Sequence, residues 1–136
     1  MNINQIAFWS TSCLVALVLV MSLVISGSPS EQRLIRLDNH RVEDLARLST
    51  AFGDYWEERD KLPTEIGELL DGRRLARMPT DPRTGLAYGY EKLDHDSFQL
   101  CATFDRPSPI QLEEEFWAHA AGKKCFSFVQ ASADND

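Results

Sequence analysis

The chain has no Asp, Glu, Lys or Arg before Glu31, so its first 30 residues carry charge only at the terminal amine. Basic residues are scarce throughout: 14 Lys+Arg stand against 21 Asp+Glu, giving a net charge of -7 and a pI of about 4.9. That balance excludes a nucleic-acid binder, which needs a basic surface to meet phosphates. With 7 glycines and 6 prolines, neither a collagen-like nor a low-complexity chain fits. Three cysteines without a CxxC pair, and three histidines without ligand spacing, exclude the usual zinc frameworks. No nucleophile elbow, phosphate loop or dinucleotide fingerprint occurs. These absences predict no enzyme, no cofactor, no metal and no small-molecule substrate. What is present is 136 residues, one domain's worth of chain, whose mean hydropathy of -0.29 averages an apolar start with an ordinary polar remainder.

Residues 6–25 read IAFWSTSCLVALVLVMSLVI, with only Ser10, Thr11, Ser12 and Ser22 polar. Twenty residues at about 1.5 Å each reach about 30 Å, the thickness of a bilayer core. The expectation is a single-pass transmembrane anchor over residues 1–27, held by Ile6, Trp9, Leu14, Leu19 and Ile25, with the lipid bilayer as its first partner. A cleavable signal peptide competes, but wants a basic start and a shorter apolar core. Cys13 lacks a lipoprotein context and reads as a small, buried, lipid-facing or helix-facing side chain. Arg33, Arg36, Arg41 and Arg47 come soon after the segment, and counting positive charge alone would put the C-terminal domain in the cytoplasm.

Ser28-Pro29-Ser30-Glu31 is helix-start chemistry, with Ser28 as cap and Pro29 in the first turn. Leu34, Leu37, Val42, Leu45, Leu48, Phe52, Tyr55 and Trp56 then recur at steps of mostly three to five, an amphipathic helix. Asp38, Arg41, Asp44, Arg47, Asp54 and Glu58 are expected on its solvent face. Leu62-Pro63-Thr64 ends the helix, and Thr64 is expected to cap a short one stopped by Asp71-Gly72. Asp81-Pro82-Arg83-Thr84-Gly85 is turn chemistry: Asp81 can bond nearby backbone N–H groups and Gly85 can take φ > 0. Leu86, Tyr88 and Tyr90 alternate onto one strand face, and Leu93 to Ser97 reads as a hairpin loop. Phe98, Leu100, Ala102 and Phe104 form the apolar face of the next strand, and a last strand covers residues 124–129. Residues 110–119 stay ambiguous, and residues 131–136 read as a disordered tail. The domain expected after the anchor is residues 28–130.

Cys101 and Cys125 each fall on a predicted strand, opposite the aromatic positions. If those strands are neighbours, the sulfurs come within bridging distance. Closing a loop of about 25 residues would stabilise the fold by about 3 kcal/mol. Two ordinary thiols in a reducing compartment are the alternative.

The order of these parts carries a resemblance. An apolar segment and a long helix ending in Tyr55-Trp56 lead into Leu62-Pro63-Thr64-Glu65-Ile66-Gly67-Glu68-Leu69. Then come Asp81-Pro82-Arg83-Thr84-Gly85-Leu86-Ala87-Tyr88 and Phe98-Gln99-Leu100-Cys101-Ala102-Thr103-Phe104. This resembles the type II secretion pseudopilins and related type IV pilin-like proteins. The resemblance implies an α+β fold, a long amphipathic helix packed on a small antiparallel sheet behind an N-terminal transmembrane helix. It also implies an inner-membrane protein whose C-terminal domain faces the periplasm, and that outweighs the positive-charge count. Membrane-protein subunits of a secretion-type envelope complex are the implied partners. The basic leader and the early membrane-buried Glu of that family are absent, so filament processing does not carry over.

Three functional readings are open. The first is a structural or accessory subunit acting by protein–protein binding. Its surfaces would be Phe116 and Trp117, which otherwise cover the end of the core, and the basic Arg73, Arg74 and Arg77, which otherwise sit on a solvated loop. The second is a tethered enzyme or metal module using Asp94, His95 and Asp96, with Asp81 and Asp105 as further oxygens for calcium. The third is a true pilus or secretion-filament subunit.

Overall fold

In the computed structural model, residues 2–25, 28–109 and 116–131 are described, together with the helical side chains of residues 5 and 7–22. Residues 132–136 of the expected tail, the Glu113 to Glu115 run and the side chains of Ile6 and Ile25 lie outside the described residues. The chain divides into two compact units, residues 1–34 and 35–136.

The first unit is dominated by helix α1, Ile3–Ile25. It holds no charged residue, and the hydroxyls of Ser10, Thr11 and Ser22 are turned inward on the backbone. Ser10 donates to the Ala7 carbonyl at 2.9 Å, Thr11 to Ala7 at 3.0 Å and Ser22 to Leu19 at 2.8 Å. The transmembrane part of the expected fold is corrected here: among the described residues, no helix is long and apolar enough to cross a membrane. Ser10, Thr11 and Ser12 stand together and interrupt the apolar run of α1.

Helix α2, Pro29–Arg59, opens as its sequence dictates. Ser28 Oγ accepts from the Glu31 N–H at 3.3 Å, and the Ser28 carbonyl accepts from Gln32 at 3.2 Å. A 3₁₀ turn, Ile66–Leu69, comes next. Its cap is Glu65 rather than the expected Thr64. Glu68 reaches back to accept from the Thr64 and Glu65 N–H groups at 2.7 and 3.1 Å, and so takes the capping role from the hydroxyl.

Three strands, β1 (Gly89–Lys92), β2 (Ser97–Phe104) and β3 (Gly122–Val129), form an antiparallel sheet in the order β1-β2-β3. The register pairs Tyr90 with Leu100 and Leu100 with Phe126. With a side-chain period of two, Phe98, Leu100, Ala102, Phe104, Phe126 and Phe128 therefore share one face. That face meets Leu45, Leu48, Phe52, Tyr55 and Trp56 of α2, and Phe98 stacks between Phe52 at 4.4 Å and Phe128 at 5.1 Å. Leu86 departs from expectation: β1 begins only at Gly89, and Leu86 is 68% exposed.

Candidate functional site

The largest correction lies on α2. Asp38, Arg41 and Asp44, expected on the solvent face, are 4%, 2% and 3% exposed. They stand at the sheet-facing side because 38-41-45-48-52-55 steps by three and four residues, a better helical stripe than one passing through Val42. A buried charge must be paired and hydrogen-bonded, and the three find partners in the turn at residues 81–85, at Tyr88 and at the end of β2.

Arg41 is the hub. Its Nε donates to Asp81 at 2.6 Å, and its Nη1 donates to Asp38 at 2.6 Å and to Asp105 at 2.7 Å. Asp38 also accepts from the backbone N–H groups of Asp105 and Arg106, both at 2.9 Å, which fixes the chain leaving β2. Asp81 performs the turn role expected of it, accepting from the Arg83 and Thr84 N–H groups at 2.9 and 2.8 Å; Gly85 takes φ of 71°. Arg83 closes the ring by pairing with Asp105. Asp44 accepts from the Tyr88 hydroxyl at 2.9 Å. Three carboxylates thus enclose one guanidinium, and a second lies at the rim.

The electrostatics are set by this enclosure. Burial works against the Arg41 charge, but the hydrogen bonds it donates to Asp81, Asp105 and Asp38 outweigh it and hold the guanidinium above its ordinary value. For Asp81, burial raises the pKa, while Arg41 and the Thr84 and Arg83 N–H groups hold it down to about 2. Burial, then the Asp44 carboxylate, raises the Tyr88 phenol. At neutral pH these groups are locked in one protonation state. The cluster is built to clamp α2 to the turn at residues 81–85, to Tyr88 and to the end of β2.

A groove of about 670 Å³ opens beside the clamp, lined among others by Arg83, Leu86, Gly89, Cys101, Thr103 and Lys123. Cys101 and Cys125 are joined across β2 and β3, where the register sets them opposite each other with Cα atoms 4.0 Å apart. Gly89 faces the bridge from β1: a Cβ there would come 3.1 Å from the Cys101 Cβ, so its lack of a side chain makes room.

The other expected site residues are dispersed. Arg74 is nearly buried: it pairs with Asp71 and Glu58, and its guanidinium lies 5.4 Å from the Tyr55 ring centroid. Arg73 meets Glu58 at 3.1 Å, and Arg77 is exposed. Trp117 is half-buried against Phe126 at 5.0 Å, whereas Phe116, 56% exposed, packs on Phe128 at 5.2 Å. Both cover the end of the sheet core. His95 turns edge-on to Trp56 at 5.4 Å, and Asp94 accepts from the His95 N–H at 2.7 Å. Among the described residues, no group of three ligating side chains converges on a metal position. His119 stacks on Phe104 at 3.7 Å, and burial lowers its pKa. Of the anchor positions, Trp9, Leu14 and Leu19 are all exposed on α1.

No family model matches the chain, and no curated protein or solved structure shows significant similarity to it.

Proposed function

We propose that the chain is a structural or accessory subunit of pilin-like architecture in a bacterial envelope assembly, acting by binding other proteins in an oxidising compartment such as the periplasm. Helix α1 carries this reading. From Phe8 to Met21 its large apolar side chains are 56–70% exposed, and no charge solvates them. Exposed apolar area of this extent marks an association surface. The Cys101–Cys125 bridge supports the oxidising setting. The order of parts in the second unit supports the pilin-like description: both turn-rich segments are pinned to α2, one through Tyr55 and Glu68 at 2.6 Å, the other through Arg41 and Asp81.

A second reading, a subunit of a fibre itself, is favoured by one feature of α1. Being uncharged, it can pack on like helices from other copies without repulsion.

The test is the full chain carrying Leu17→Glu and Val20→Glu. It should lose its co-purifying protein neighbours or its self-assembly, while the disulfide and the melting temperature of the second unit stay unchanged. Retention of the same neighbours by the charged variant would count against α1 as the binding element.

A further inference from the structure

The disulfide belongs to a row of three residues that crosses the whole sheet. The register sets Gly89 of β1 opposite Cys101 of β2, and Cys101 opposite Cys125 of β3. With a side-chain period of two, all three lie on the face away from Leu100 and Phe126, the face that α2 does not cover. Towards β3, the Cys101 sulfur is bonded to Cys125. Towards β1, its neighbour in the row has no side chain. A Cβ at Gly89 would lie 3.8 Å from the Cys101 sulfur, and the three heavy atoms nearest to that position all belong to Cys101. Gly89 is exposed and, with Cys101, lines the groove of about 670 Å³.

A thiolate opens a disulfide by bonding to one sulfur and displacing the other, so it must reach the first from the side away from its mate. On Cys101 that side is the open position over Gly89. The two sulfurs also differ as leaving groups. Lys123 is exposed two residues before Cys125 on the same face of β3, where an ammonium stabilises a departing thiolate. The same-face neighbours of Cys101 on β2 are Gln99 and Thr103, both uncharged. The better stabilised thiolate leaves faster. Attack on Cys101 with loss of Cys125 is therefore the favoured direction, although Cys125 is the more exposed of the two.

We infer that Cys101 is a thiol-exchange site for a protein dithiol that enters over Gly89. One thiolate of the dithiol bonds to the Cys101 sulfur, and the Cys101–Cys125 bond breaks, expelling Cys125 as a thiolate. The second thiol of the dithiol then attacks its own partner sulfur in the mixed disulfide and releases Cys101. The dithiol is oxidised to a disulfide, the bridge is reduced by the same two electrons, and the two thiol protons end on Cys101 and Cys125. The site lies on the second unit and does not use α1, so its failure would leave the α1 test untouched.

The experiment uses the full oxidised chain in native buffer, with glutathione and dithiothreitol as probes. After brief exposure to glutathione and quenching with N-ethylmaleimide, peptide mass spectrometry should find glutathione on Cys101 and maleimide on Cys125, about tenfold over the reverse pattern. With dithiothreitol, the reduction rate should rise in proportion to reagent concentration. Gly89→Ala should slow it about tenfold, because the added methyl occupies the line of approach. Lys123→Gln, a surface change that leaves the row's packing alone, should also slow it and should even out the two adduct patterns; it keeps the test open where Gly89→Ala disturbs the strand. Glutathione mainly on Cys125, a rate that does not depend on dithiothreitol because opening waits on unfolding, or an unchanged rate and adduct pattern in Lys123→Gln would overturn the proposal.

Discussion

The two halves of the buried stripe on α2 do opposite jobs. From Leu45 to Trp56 the contacts are aromatic and aliphatic, and they supply non-directional burial against Phe98, Leu100 and Phe126. From Asp38 to Asp44 the contacts are charged, and they supply almost no apolar burial. They specify instead which segment docks where: Asp38 the exit from β2, Arg41 the turn at residues 81–85, and Asp44 the Tyr88 hydroxyl. The apolar half makes the fold stable, and the charged half makes it one arrangement of loops.

The sharpest way to break this contrast is to cut each half once. Arg41→Ala should destabilise the second unit by about 3–5 kcal/mol, because Asp38, Asp81 and Asp105 lose their common partner while two of them stay largely buried. Phe52→Ala should cost a similar ~3–5 kcal/mol by cavity formation. The two differ in kind. Chemical denaturation should give equal losses, but backbone exchange at Thr84 and Arg106 should rise selectively in the Arg41 variant. Arg41→Lys, which keeps the charge but cannot reach three carboxylates, should recover only part of the loss.

The outer face of the sheet offers a third term of comparison. Replacing Cys101 and Cys125 together by Ala should cost about 3 kcal/mol through the unfolded chain, with little change in either half of the stripe. Reductant should lower the melting temperature of the native chain to that of the double variant.

Acid separates the halves without mutation. Asp81 is held at about 2 in the folded chain against an ordinary 3.8. A depressed carboxylate contributes stability that is complete above its unfolded pKa and is lost as pH falls through the folded one. The contribution, about 2 kcal/mol at 1.36 kcal/mol per unit, should therefore disappear between about pH 4 and pH 2. Denaturation midpoints measured across that range should fall for the native chain and lie flatter for Asp81→Asn. The smallest effect is expected from Tyr88→Phe, about 1 kcal/mol, since Asp44 keeps its neighbours Arg47 and His40.

Local chemistry was legible wherever it was periodic or turn-forming. The Ser28 cap, the Asp81 turn, the positive φ at Gly85, the hairpin at residues 93–97 and the pairing of Cys101 with Cys125 all obey short-range rules. The clamp was not read, because composition treats Arg41 and its neighbours as surface residues by default. The clue was a five-residue step from Leu37 to Val42, which a helix of 3.6 residues per turn fills better with Arg41. The choice of Glu68 over Thr64 as capping group depends on Tyr55, thirteen residues earlier than Glu68, and no local rule contains it. Leu86 was misplaced for a related reason: alternation put it on a strand face, while the turn at Asp81 takes its carbonyl as acceptor for the Asp81 N–H and leaves its side chain exposed.

The proposed binding role turns on what covers α1, and a photocrosslinking side chain at Leu17 in the full chain, irradiated in intact cells, measures that directly. Binding to other proteins predicts discrete adducts of defined mass that vanish when Val20→Glu is added. Adducts confined to lipid or solvent, or the same adducts from the exposed α2 position Glu57, would contradict it.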